Sequence, residues 1–163
     1  MYDPASKVGG VEAVAEAHPE NAAVIALKGL AADAKFDRNE LTITVARENI
    51  IAAGEAVKAA GYTFLEDVTA VDWYPSEPRF QISYHILSHK LKQRVRLAVR
   101  LFGDDAKTDS VISVWPSCNF YEREIFDLFG VHFGGHPNMV RIMMPEDWEG
   151  HPLRKDYPVE GYR

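Results

Sequence analysis

One cysteine, Cys118, stands in 163 residues. That scarcity excludes an internal disulfide framework, and any iron–sulfur cluster or zinc site held by cysteines of this chain alone. It also implies a reducing compartment. The chain has no GxGxxG, no GxxxxGK[ST] and no CxxC, so the phosphate-cradling loop or redox dithiol of an independent nucleotide or redox-cofactor site is missing. No apolar run approaches the roughly 20 residues that span a bilayer. The opening MYDPASKVGG has neither the basic region nor the apolar core of a secretory signal, and membrane contact is expected only through a partner. Positive charge is in deficit: 18 Lys and Arg against 24 Asp and Glu give a net charge of -6, the wrong sign for a surface that tracks nucleic-acid phosphates. Repeats and low-complexity tracts are absent.

What remains is a chain that is 47% hydrophobic and 26% charged, sufficient for one good core. Residues 1 to 10 read as a frayed lead. Val11, Val14 and Ala15 suggest a short helix ended by Pro19, and Ala22 to Leu27 reads as a first strand. Asp37, Arg38 and Asn39 form a polar turn before Leu41, Ile43 and Val45, which alternate with threonines as in a half-buried strand. A helix from about Glu48 carries Ile50, Ile51, Gly54 and Val57 and stops at Gly61. Strands are then expected over Leu65 to Val71, Phe80 to Ile86 and Val95 to Leu101. A polar, basic tip at Ser88 to Gln93 joins the last two, and a short strand is expected at Val111 to Val114. The fold class expected is α+β: a two-layer domain whose mostly antiparallel sheet is covered by helices on one face, followed by an irregular, extended C-terminal arm. The division expected is a core domain over residues 1–133 and an arm for subunit docking over 134–163.

Tyr121 to Pro158 is the densest stretch, mixing charges, aromatics, histidines, glycines and prolines without a repeating period. Phe120, Tyr121, Ile125, Leu128 and Phe129 recur at helical spacing, Gly130 terminates the run, and Asn119 with Glu122 fits a capping box. Glu124 lies beside the apolar stripe and, if buried, needs a cation; Arg141 and Arg154 are the candidates. Arg123 and Asp127 are spaced to pair along the surface. Beyond Gly130, the spacing of glycine and proline forbids a long regular element.

Function readings compete over these residues. His132, His136 and His151 could form a metal site, but their spacing matches no helix-borne ligand pair, and turn chemistry explains both Gly-His-Pro contexts equally well. Glu122, Glu124 and Asp127 could serve acid–base work, although nothing resembles a nucleophile elbow. Arg94, Arg96 and Arg100 read as a solvated strand face, and Cys118 as a buried spectator. An interface role fits best, since Trp148, Arg154 and Tyr157 are hot-spot residue types beside prolines that pre-order the backbone.

The same residues carry a resemblance. Glu122-Arg123-Glu124, Asp127-Leu128-Phe129-Gly130, Gly135-His136-Pro137, Arg141-Ile142 and the run Pro145 to Pro158 resemble the C subunit of respiratory complex I, the NADH–quinone oxidoreductase. That run includes Trp148, His151, Arg154, Lys155, Asp156 and Tyr157. Upstream, Asp67 to Asp72, Arg79-Phe80, Tyr84-His85 and Trp115-Pro116 extend the match, which spans about Gly61 to Pro158. Val140 departs from it, where the family often has a second basic residue.

The resemblance implies a cofactor-free structural subunit of the peripheral arm, in a hetero-oligomer. Its principal partner would be the D subunit, with the cluster-bearing B and I subunits nearby. FMN, iron–sulfur clusters and NADH would then belong to partner subunits, and no catalytic residue is expected on this chain. It also implies a short form without a fused D-subunit domain, peripheral on the cytoplasmic face of a bacterial inner membrane. An equivalent subunit of a related membrane-bound hydrogenase or of a ferredoxin- or F420-linked oxidoreductase is the alternative within the same class. A stand-alone hydrolase or metalloprotein is the alternative outside it.

Overall fold

The computed structural model describes residues 7–160. The frayed lead expected for residues 1 to 10 falls partly outside that range, but Val8 and Gly9 form a short strand, β1. Helix α1 spans Val11–Ala17 and buries Val14 completely. The first strand expected at Ala22 to Leu27 is instead a helix, α2, over Ala22–Ala26. The Asn21 side chain decides this by accepting hydrogen bonds from the N–H groups of Ala23 and Val24, a helix cap that overrides the apolar run.

A strand that the sequence hides follows at Ala31–Asp37 (β2), where only Ala34 is fully buried and the alternation is correspondingly faint. Its hairpin partner β3, Glu40–Val45, buries Leu41, Ile43 and Val45 as their alternation predicts. Arg38 and Asn39 between them both adopt positive φ, the backbone a two-residue hairpin turn requires. Helix α3 covers Ile50–Ala59 after a short 3-10 turn and presents Ile50, Ala53 and Val57 to the core.

Strands β4 (Phe64–Asp72), β5 (Phe80–Ser88) and β6 (Gln93–Leu101) then form an antiparallel meander. Because α3 crosses over before β4, β6 returns beside β3 in parallel, with Leu41 opposite Val95 and Val45 opposite Val99. The resulting sheet has the order β1-β2-β3-β6-β5-β4, mixed but mostly antiparallel. One face alternates into a single apolar core with residues of all four helices. The other carries Thr42, Gln81, Arg94, Arg96 and Arg100. Those arginines are held as a solvated strand face would be: Arg94 pairs with Glu66, Arg96 pairs with Glu40, and Arg100 lies over Trp73.

The strand expected at Val111 to Val114 is a turn, because Val114 and Trp115 both donate to the Val111 carbonyl. The strand lies slightly earlier, at Lys107–Asp109 (β7), paired in parallel with His132–Gly134 (β8). Between them runs α4, Cys118–Phe129, closed by Gly130 in the left-handed conformation. It starts earlier than the capping box predicts, and the Asn119 side chain caps nothing: its Oδ1 is buried without a hydrogen-bond partner among the described residues. From 135 to 160 the chain makes turns and bends, with no further helix or strand among the described residues.

Candidate functional site

The C-terminal end of α4 and the inward end of β4 meet residues 141–156 in two connected polar clusters. The first is built on Asp127. A carboxylate in the last turn of a helix opposes the helix dipole and, fully buried, must find donors. It finds four. One oxygen accepts from the consecutive backbone N–H groups of Ile142, Met143 and Met144 at 2.9, 2.7 and 2.9 Å, and the other from Arg141 Nη1 at 2.9 Å. Three successive amides converging on one oxygen form an anion nest, here filled by the protein's own carboxylate. Burial alone would push the Asp127 carboxyl up, but these donors outweigh it and hold it below its ordinary value. Arg141 also donates to the Gly150 carbonyl at 3.0 Å, tying the segment back on itself.

The helix end is completed by the same segment. The carbonyls of the last turn have no partner within a helix. In this chain Asp127 O accepts from His151 Nδ1, Leu128 O from the Leu153 N–H, and Phe129 O from Arg154 Nε at 2.6 Å. Because the His151 contact is to a carbonyl, Nδ1 carries the proton. Burial, with Arg154 and Arg141 nearby, lowers the His151 pKa despite that bond. Gly130 is what lets the two side chains close over the helix end. Its φ is 70°, and a Cβ there would stand 2.5 Å from the His151 ring and 2.6 Å from Arg154.

The second cluster is built on Arg79, which stands out in the sequence only as part of the resemblance. Arg79 makes a two-toothed contact with Asp72, Nε to Oδ1 at 2.9 Å and Nη2 to Oδ2 at 2.8 Å. Its other edge grips Asp156 at 2.9 and 2.6 Å. Asp72 also accepts from the Lys155 and Tyr74 N–H groups. Burial would raise the Asp72 pKa, but Arg79 and these two amides bring it down to about 2. Arg79 raises its own pKa by the same contacts, and lowers that of Asp156. Arg154 joins the clusters, its guanidinium lying over the Phe80 ring while its donors cap α4.

Glu124, expected to hold an arginine of the arm, is exposed, and the carboxylate that does so is Asp127, one turn further on. The expected surface pair of Arg123 and Asp127 is likewise replaced: Asp127 faces inward, and Arg123 donates to the Val140 carbonyl. Glu122 is fully buried beneath the helix start, bonded to Ser110 Oγ and the Val111 N–H, and burial raises its pKa. His136 accepts from the Asn138 N–H through Nδ1. Lys155 contributes its backbone to Asp72, and Tyr157 donates to the Glu149 carbonyl. Trp148 is 38% exposed.

Among the described residues no group of three or more His, Cys, Asp and Glu is placed to hold a metal ion. His132 packs edge-on against Phe126, while His136 and His151 serve different turns. Cys118 is buried, and burial beside Glu122 pushes its thiol up, away from the reactive thiolate.

Asp72 carried a legible signal. Val68, Ala70 and Asp72 share the inward face of one alternating strand, and a carboxylate there demands a cation. Among the described residues no helix is long and apolar enough to cross a membrane.

The class the structure defines is a small α+β domain whose C-terminal segment is pinned over the end of α4 by the Asp127–Arg141 pair and by the Arg79 cluster. Residues 43–163 match the family described as respiratory-chain NADH dehydrogenase, 30 Kd subunit, and the chain belongs to it. The C subunit of the NADH-quinone oxidoreductase of Citrifermentans bemidjiense is 45% identical over 146 residues, covering 86% of this chain and 91% of that protein. Its counterpart in Geobacter sulfurreducens, named in the same way, is 45% identical over 147 residues, covering 86% and 91%.

Solved structures share the fold, two of them as follows. The trypsin-resistant fragment (1-134) of Nqo5 aligns with a TM-score of 0.58 at 31% identity, over 61% of this chain and 82% of that one. A chain of the membrane-bound sulfane sulfur reductase, an archaeal respiratory membrane complex, aligns with a TM-score of 0.72 at 27% identity, over 83% and 82%.

Proposed function

We propose that this chain is a cofactor-free scaffold of the peripheral arm of a proton-pumping NADH–quinone oxidoreductase, and that its C-terminal segment docks the D subunit. The observation that carries this is the two-sided character of residues 140–159. Inward, the segment spends its polar groups on Asp127, the end of α4 and the Arg79 cluster. Outward, it leaves Val140, Ile142, Met143, Trp148, Leu153 and Val159 exposed. A segment pinned by buried ion pairs that turns apolar side chains to solvent is a preformed docking surface, because little order is left to lose on binding.

In this reading FMN, the iron–sulfur clusters and NADH reside on partner subunits, including the B and I subunits nearby, and catalysis belongs to the assembly. The chain would lie on the cytoplasmic face of the bacterial inner membrane, reaching the bilayer only through partners. The fold is shared with a sulfane sulfur reductase complex, so fold does not choose the electron donor. The higher identity to subunits of NADH-quinone oxidoreductases favours NADH and quinone.

Co-purification from the native membrane tests this. The D subunit should come down with the chain in equimolar amount. The isolated chain should show no visible cofactor absorbance and no NADH oxidation. Bound flavin, a cluster or one equivalent of metal on the isolated chain would contradict it.

A further inference from the structure

The parallel pairing of β3 with β6 sets two hairpin tips side by side at one end of the sheet, the β2–β3 turn at Arg38 and Asn39 and the β5–β6 tip at His89 to Lys92. Between them opens a groove of about 780 Å³. Its lining includes Arg38 on the β2–β3 side and Lys92 and Arg94 on the β5–β6 side, Arg94 already paired with Glu66, with His18 and His89 also lining it. Glu40 is the one carboxylate in the lining, and it already pairs with Arg96.

The run Ser88 to Arg94 holds three cations and no carboxylate, in a chain whose net charge is -6. Lys92 in the lining and Lys90 beside it on the same tip form no ion pair among the described residues, and both are exposed. The tip is held rather than loose: Ser88 Oγ accepts from the Leu91 N–H, Tyr62 donates to Gln93, and Lys92 adopts a positive φ. Apolar surface lies alongside, with Leu91 38% and Phe64 49% exposed.

We propose that this groove receives an acidic peptide segment of a neighbouring subunit, one carrying an apolar side chain among its carboxylates. The proposal rests on the chain being part of a multi-subunit assembly, and it concerns the end of the sheet distant in sequence from the C-terminal segment. Cations on both sides of the lining suit an extended chain of carboxylates lying between them, whereas one phosphate would need donors converging on a point. A flat anionic membrane would meet the tips and leave the concave floor empty.

The test compares lysine labelling and carbodiimide cross-linking in the free chain and in the purified complex, with Lys155 as the reporter of the C-terminal contact. At low ionic strength Lys90 and Lys92 should be dimethylated about fivefold more slowly in the complex. They should also form amide cross-links to Asp or Glu of one partner segment, and the protection should fade at about 0.5 M salt, where charge screening is strong. The variant Lys90→Gln with Lys92→Gln should lose the cross-links while Lys155 stays protected. Equal labelling of Lys90 and Lys92 in both states with Lys155 protected would overturn the groove assignment and leave the assembly reading standing. Loss of protection for Lys155 as well would overturn both. Protection removed by delipidation or by nuclease would replace the peptide with a lipid headgroup or a nucleic acid.

Discussion

Asp72 shows how much one side chain carries here. Its pKa of about 2 against an ordinary 3.8 is a folded-state value depressed by Arg79, so the stability it supplies is present above pH 4 and lost as pH falls toward 2. That difference corresponds to about 2 kcal/mol. Asp72→Asn should therefore lower stability at pH 7 and flatten the acid limb of the unfolding curve between pH 4 and 2, measured by circular dichroism. An acid limb identical to the wild type would show that the Arg79 contact contributes nothing. His151 behaves in the same sense from a higher starting point. Its lowered pKa makes the neutral ring the bound form, so its contribution is present above its ordinary 6.5 and fades as pH falls through the lowered value. Gly130→Ala meets both a positive φ and the His151 ring. It should cost about 2 kcal/mol or more, which is about 4–8 °C in Tm for a domain of this size.

At the scale of elements, the latch between α4 and the segment that follows it depends on one carboxylate. Asp127→Asn removes the charge from a filled nest and leaves Arg141 half-buried beside it, at a cost of about 3–5 kcal/mol. The readout is limited proteolysis: residues 135–160 should be cut well before the sheet in Asp127→Asn, whereas Glu124→Gln should be cut like the wild type. Equal protection in both variants would sink the latch.

The sequence pointed to the right helix and to an arginine of the arm, but it chose Glu124, because helical spacing locates a stripe only to within about one turn. It also treated the Arg123 and Asp127 pair as sufficient by itself. Long periodic elements were readable for physical reasons: β3, β5 and β6 alternate cleanly, and α3 has apolar spacing and a glycine stop. Elements decided by single hydrogen bonds were not. α2 depends on the Asn21 cap, the turn at Val111 on two shared bonds to one carbonyl, and β7 with β8 on a parallel pairing three residues long.

On the scale of the whole molecule, the division of labour is between a sheet that supplies rigidity and a terminal segment that it holds in place. The Arg79 cluster joins β4 and β5 to residues 155 and 156 across more than 70 positions of sequence, so the segment's position is fixed by the core. Pairings at that range leave no local pattern, so the grip of Arg79 on Asp156 was not readable from the sequence, whereas the inward-facing Asp72 on β4 was a legible demand for a cation. If the exposed apolar side chains beyond Val140 are the docking surface, their loss should weaken assembly without unfolding the chain.

The most direct measurement is capture of the D subunit by the purified chain. Trp148→Ala combined with Met143→Asp should reduce capture by at least about tenfold, since truncating a well-packed anchor commonly costs 2 kcal/mol or more. Arg96→Ala, on the open sheet face, should capture as the wild type does, with all three proteins showing the same melting temperature. Undiminished capture by the double variant would place the contact elsewhere and reduce the C-terminal segment to an internal brace.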